Sequence, residues 1–136
     1  MKKYHWLSVL SGCVWAIIAY VLSFGAFGSL IIGGLIASPL IGLLVGMLYR
    51  PAYKLPKVSQ CFLSLVTLYL AVTIFGLAVG FYDAYSRAIP NRITSGVILQ
   101  TTIAAVWGIT FTGYVLLLWP LAFLNHRLLG RAHSAP

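Results

Sequence analysis

The sequence predicts an all-α integral membrane protein with four transmembrane helices. Of its 136 residues, 61 % are hydrophobic and 7 % are charged, whereas about 25 % of a soluble domain is charged. Lys, Arg, Asp and Glu are absent from residues 4–49, 58–82 and 93–125. These runs are continuous rather than alternating, which favours helices over β-barrel strands. A bilayer core needs about 20 apolar residues per helix, so the first run accommodates two helices and each of the others one.

The first two predicted helices cover residues 6–24 and 29–48. The turn between them, residues 25–28, begins and ends with glycine, which permits a tight reversal. Pro51 ends the second helix, because proline disfavours helical geometry at the residue before it. Pro39, inside that helix, is expected to bend it.

The last two predicted helices cover residues 59–82 and 96–124. Pro90 interrupts the loop between them, and Pro120 is expected to kink the fourth helix near its end. Residues 127–136 are predicted to form a short basic cytoplasmic tail. Short links force neighbouring spans antiparallel, so all 136 residues are expected to form one up-down-up-down bundle.

The distribution of basic residues predicts that both termini are cytoplasmic. Cytoplasmic loops of membrane proteins carry an excess of Lys and Arg. With the N-terminus inside, seven of the nine basic residues are cytoplasmic and two are external. The short loops and the compact N-terminus are typical of the bacterial inner membrane. The seven are Lys2, Lys3, Arg50, Lys54, Lys57, Arg127 and Arg131, and the two are Arg87 and Arg92.

Residues 10–13, Leu-Ser-Gly-Cys, match a bacterial lipoprotein cleavage site, which would leave Cys13 lipidated. The apolar stretch before Cys13 is short and contains His5, whereas the apolar region of a signal peptide runs about 7–15 residues. An uncleaved first span is therefore the favoured interpretation, with lipidation of Cys13 as the alternative.

Small residues recur along the predicted helices at a four-residue step, which places them on one helix face. Such a face lets a second helix approach closely, and membrane helices associate in this way. Three interpretations remain open: packing within the bundle, contact with a partner subunit or a second copy, and a pore-lining face. The residues are Gly34, Ser38, Gly42 and Gly46 in helix 2, Gly76 and Gly80 in helix 3, and Gly108 in helix 4.

Polar residues define three further candidate sites. Gln100 is expected to hydrogen-bond to another helix, with a polar cavity lined by Gln100, Thr101 and Thr102 as the alternative. An outer patch comprises an i,i+4 pair, expected to be an interfacial ion pair at the end of helix 3, and two neighbours. Contact of this patch with a partner protein or anionic headgroups is the alternative. A basic loop at the inner face is expected to contact anionic lipid. The outer patch is Asp83, Arg87, Asn91 and Arg92, and the basic loop contains Arg50, Lys54 and Lys57.

The chemistry of the side chains disfavours an enzyme. With one acidic residue and three histidines, neither a catalytic triad nor a carboxylate pair can be assembled. No metal or cofactor is expected, and ligation of metal or haem by His5 and His126 at the inner interface is disfavoured. The net charge of +8 does not predict nucleic-acid binding, because the basic residues lie at the ends of spans and form no stripe.

The leading functional hypothesis is a non-catalytic accessory, assembly or stabilising subunit of a larger membrane complex, or of an assembly of its own copies, acting through helix contacts. The alternative is a small oligomeric channel or carrier for a neutral or lipidic solute. A further alternative is a membrane immunity or exclusion protein. Membrane lipids are expected partners in each case.

Overall fold

The computed structural model describes residues 2–88 and 90–134, without the side chains of Lys2, Phe24, Asn91, Arg92 and residues 132–134. The described chain is all-helical, as predicted: 94 % of it is helix, and it contains no strand.

Five α-helices and two short 3₁₀ turns make up the described chain. Four of the helices are long and apolar enough to cross a membrane, namely α1 to α4, and the fifth is not among them. The elements are α1 (Lys2–Phe27), a 3₁₀ turn (Gly28–Ile31), α2 (Ile32–Tyr49), a 3₁₀ turn (Arg50–Lys54), α3 (Lys57–Ser86), α4 (Asn91–Phe111) and α5 (Tyr114–Ser134).

The predicted fourth helix, residues 96–124, is two helices in the structure. The break lies at Gly113, whose φ of +73° is in the left-handed region that favours glycine. The Thr112 N–H donates to the Gly108 carbonyl and the Gly113 N–H to the Thr110 carbonyl, which is how a left-handed residue ends a helix. The second helix, α5, continues to Ser134, so most of the predicted tail is helical.

The first four helices pack in chain order, α1 on α2, α2 on α3 and α3 on α4. Neighbours are antiparallel: the Tyr4 hydroxyl at the start of α1 donates to Gly46 near the end of α2. Gly80 near the end of α3 likewise lies against Ile98 near the start of α4. In the described chain α1 and α4 stand at the two ends of this row and share no packing interface.

Helix α5 crosses back over the row and joins its two sides. Leu118 and Ala122 of α5 pack against Leu68 of α3, and Trp15 of α1 packs against this cluster. A second apolar cluster, centred on Val79, lies between α2 and α3. Because α5 bridges α1 and α3 but leaves α1 and α4 apart, a space remains between the helices.

Candidate functional site

A central cavity of about 310 Å³ lies between the five helices. Its volume is at the lower end of the range for small-molecule sites, roughly 300–1,000 Å³. Most of its wall is apolar, including Trp15, Leu22, Phe75 and Leu118. No Lys, Arg, Asp or Glu is among the described residues that line it, so the cavity is suited to an uncharged occupant.

The cavity reaches the surface between α1 and α4. On this side its wall includes Ala26 of α1 and Ala104, Gly108 and Thr112 of α4, all of which are exposed. A Cβ atom added at Gly108 would meet nothing within 4 Å. We call this opening the α1–α4 gap, and the residues that border it, such as Ala26, Ala104 and Gly108, are small.

Four polar side chains of the cavity lining are joined in two hydrogen-bonded pairs, Ser11 with Asn125 and Thr67 with His126, and we call these four residues the polar end. The Ser11 hydroxyl donates to Asn125 Oδ1 at 3.0 Å. The Asn125 amide nitrogen makes no hydrogen bond to the described residues. The hydrogen bond from Ser11 therefore ties the Asn125 side chain of α5 to α1.

His126 is buried, with 3 % of its surface exposed. Its ring stacks on Tyr49, with 3.7 Å between the centroids and 4° between the planes. On the ring edge, Nε2 lies 3.0 Å from Thr67 Oγ1. Contacts from α2 and α3 thus hold the imidazole in one orientation.

The Thr67 hydroxyl ties His126 to α3. Its oxygen lies 3.0 Å from the Ser64 carbonyl oxygen and 3.0 Å from His126 Nε2. The other ring nitrogen, Nδ1, is fully buried and has no hydrogen-bond partner among the described residues. An unmade buried hydrogen bond costs about 1–3 kcal/mol, so the atom calls for an explanation.

Residues beneath the polar end anchor α5 to α3. The Trp119 indole N–H donates to the Cys61 carbonyl at 2.9 Å and lies 3.2 Å from Ser64 Oγ. The Tyr49 hydroxyl donates to the Gln60 carbonyl at 2.6 Å, which fixes the ring under His126. These contacts position the polar end and do not themselves offer free hydrogen-bonding groups.

The small residues that were predicted to share one face of the second helix, which we call the small-residue stripe, pack inside the chain in α2. A Cβ atom added at Gly42 would lie 2.5 Å from the Gly12 Cα and from the Ser8 carbonyl oxygen of α1. Gly46 and Ser38 also pack on α1, against Ser8 and Gly12 respectively, whereas Gly34 receives the Phe75 ring of α3.

The stripe continues in α3, where Gly76 and Gly80 pack on α4. A Cβ atom at Gly76 would lie 2.9 Å from Thr102 Cα, and one at Gly80 would lie 2.8 Å from Ile98 Cα. Of the predicted stripe, only Gly108 lacks a close neighbour. In the structure these residues therefore pack within the chain, while contact with a partner subunit or a second copy stays a prediction.

The predicted polar cavity at Gln100, Thr101 and Thr102 differs from the observed one. None of the three lines the central cavity. Gln100 is exposed, and the two threonine hydroxyls donate to carbonyls of their own helix, at Val97 and Ile98, each at 2.8 Å. Threonine satisfies its hydroxyl locally in this way, so a polar sequence does not imply a polar cavity.

The outer patch forms in part. Asp83 is largely buried, and its Oδ1 lies 2.5 Å from Arg87 Nε in the predicted i,i+4 pair. The side chains of Asn91 and Arg92 lie outside the described part of the structure. At the opposite end, Lys54 and Lys57 are exposed and Arg50 is half-buried.

The two histidines predicted to lie at the inner interface do not contact each other in the described structure. His126 is buried against Tyr49, while His5 packs edge-on against Tyr4, with 6.0 Å between centroids. The polar end was not predicted, although one signal existed: Leu118, Ala122 and His126 recur at a four-residue step, which is a buried helix face. Within the described residues no group of three His, Cys, Asp or Glu could hold a metal ion.

Fold and site together define a helical protein with four apolar helices long enough to cross a membrane, surrounding an uncharged cavity. No protein-family model, curated protein or solved structure matches the chain.

Proposed function

We propose that this protein is an integral membrane protein that binds a small, neutral and largely apolar solute in its central cavity, as a carrier or channel does. One observation supports this proposal above others: a cavity of about 310 Å³ with an apolar wall, no charged lining residue and one polar end. Ligand sites commonly combine an apolar wall with a few polar groups.

In this proposal α1 to α4 cross a bacterial inner membrane with the N-terminus and the end of α5 in the cytoplasm. The excess of basic residues on that side supports this orientation. Exposed Lys54, Lys57, Arg127 and Arg131 would then meet anionic headgroups. The α1–α4 gap would face lipid, so that an apolar solute could enter the cavity laterally from the bilayer.

The test is photolabelling in lipid nanodiscs with an uncharged alkyl diazirine, followed by mass spectrometry of the labelled peptides. The native protein should be labelled at cavity residues of α1 and α5. Gly108→Leu should reduce this labelling severalfold, because the new side chain projects into the α1–α4 gap.

Gly96→Leu is the matched control. Gly96 is also in α4, and a Cβ atom there would also meet nothing within 4 Å, but Gly96 does not line the cavity. Labelling confined to the lipid-facing surface of the native protein, or unchanged by Gly108→Leu, would rule the proposal out.

A second candidate function is that of an accessory subunit that receives a helix of a larger membrane complex in the α1–α4 gap. The small residues that border the gap, Ser23 and Ala26 on α1 and Ala104 and Gly108 on α4, support it, since small residues let helices approach closely in membranes. Under this proposal Gly108→Leu abolishes co-purification of a stoichiometric partner, and Gly96→Leu does not.

A further inference from the structure

We propose that the occupant of the central cavity is a neutral lipid with one long, linear hydrocarbon chain, and that this chain lies along α1. This inference rests on the proposed solute-binding function and names the class of solute. Three features of the cavity carry the argument: its length along α1, the difference between its two ends, and its uncharged lining.

The cavity is elongated along α1. The α1 residues that line it begin at Ser11 and end at Phe27, which is a stretch of about 24 Å at the rise of an α-helix. They recur at steps of one and three residues, so they form one continuous face of the helix. A space of about 310 Å³ that follows a helix over this length is narrow. It therefore suits an extended hydrocarbon chain better than a compact molecule.

The cavity is closed at its Ser11 end. The Ser11 hydroxyl donates to Asn125 at 3.0 Å, which ties α5 to α1 there. Gly42 of α2, which also lines the cavity, packs against Gly12 one residue further along α1. Helices α1, α2 and α5 thus surround this end.

The cavity is open towards its Phe27 end. Ala26 lines it, is exposed and borders the α1–α4 gap. The lining residues of α2 run only from Ser38 to Gly46, so α2 adds no described residue to the wall beside Ala26. A chain can therefore enter here from the bilayer and extend along α1 towards the closed end.

The uncharged lining restricts the head of the lipid. Among the described residues that line the cavity, neither end carries a Lys, Arg, Asp or Glu, so an ionised head would find no counter-ion. A buried unpaired ion is strongly disfavoured. Between the ends the wall includes Trp15, Leu22, Phe75 and Leu118. A neutral head near Phe27 and an apolar chain along this wall satisfy both conditions.

The test uses three uncharged diazirine probes in lipid nanodiscs. Two are long-chain methyl esters with the diazirine either beside the ester or at the far end of the chain, and the third is a compact adamantane diazirine. The far-end probe should label Phe75 and Leu118, which are only 8 % and 4 % exposed and so are shielded from lipid around the protein. The ester-end probe should label the stretch of α1 around Ala26. The compact probe should label Phe75 and Leu118 severalfold less than the far-end probe.

Gly108→Leu and Gly96→Leu are the matched variants. The first places a side chain in the α1–α4 gap and should reduce far-end labelling of Phe75 and Leu118 severalfold. The second lies outside the cavity lining and should leave this labelling unchanged. At both positions an added Cβ atom would meet nothing within 4 Å, so the fold should tolerate both substitutions.

The outcomes separate the two proposals. Equal labelling of Phe75 and Leu118 by the compact and far-end probes would overturn the linear chain and leave solute binding intact. Labelling of Leu118 by the ester-end probe and of Ala26 by the far-end probe would overturn the direction of the chain. Far-end labelling unchanged by Gly108→Leu would overturn entry through the gap. Cavity labelling by none of the three probes would overturn both proposals.

Discussion

At the scale of the residue, His126 shows how one polar side chain is held inside an apolar helical protein. Aromatic stacking on Tyr49 and a hydrogen bond to Thr67 orient the ring. The hydroxyl of Thr67 also lies 3.0 Å from the Ser64 carbonyl, so the ring is tied to the backbone of α3. The second ring nitrogen, Nδ1, is buried without a hydrogen-bond partner among the described residues.

Thr67→Val tests this arrangement. The substitution preserves shape but removes the hydrogen bond between Thr67 and His126 Nε2 and leaves that buried nitrogen unpaired, so it should destabilise the protein by about 1–3 kcal/mol. Thr73→Val is the matched control, because the Thr73 hydroxyl bonds only within its own helix, to the Tyr69 carbonyl. Reversible unfolding in mixed micelles measures both, and equal effects would contradict the account.

At the scale of the element, apolar runs predict the helices well, because helix is the structure that satisfies backbone polar groups in lipid. The runs do not show where a helix breaks. Gly113 ends α4, yet Gly108, five residues earlier, lies inside it. Glycine is common in membrane helices, so only the backbone φ distinguishes the two positions.

Gly113→Ala tests the break. A Cβ atom in the left-handed region costs about 1–2 kcal/mol, so the variant should unfold more easily than the native protein. Gly96→Ala, in a regular turn of α4, should be neutral or slightly stabilising, since alanine is the better helix former by about 1 kcal/mol. If both variants unfold alike, the break does not depend on Gly113.

The close contact of α1 with α2 is tested by Gly42→Ala. The added methyl group would meet the backbone of Ser8 and Gly12 at 2.5 Å, and overpacking of this kind costs about 1–3 kcal/mol. The same unfolding assay should show a loss of stability, with Gly96→Ala again as the control. An unaffected Gly42→Ala would mean that α1 and α2 lie further apart.

At the scale of the whole molecule, the central cavity depends on contacts that no local pattern encodes. It forms because α5 turns back at Gly113, packs between α1 and α3, and leaves α1 and α4 apart. Residues such as Ser11 and Asn125 are separated by 114 positions and become one site only through this crossing. For this reason the sequence predicts the helices and the uneven distribution of charge, but it does not predict this cavity and instead suggests one at the threonines of α4.

The proposed orientation predicts which loops are reachable from outside the cell. In a background without Cys13 and Cys61, Arg87→Cys should react with a membrane-impermeant maleimide in intact cells. Lys54→Cys should react only after lysis. The reverse pattern would mean that the excess of basic residues does not set the orientation.

The most direct measurement of the central claim is native mass spectrometry of the protein released gently from its own membrane. The account predicts a neutral small molecule bound at about one copy per chain in the native protein and in Gly96→Leu, and lost in Gly108→Leu. A protein without any bound small molecule, or one held in a stoichiometric complex with another protein that Gly108→Leu disrupts, would contradict solute binding and assign the α1–α4 gap to a partner helix instead.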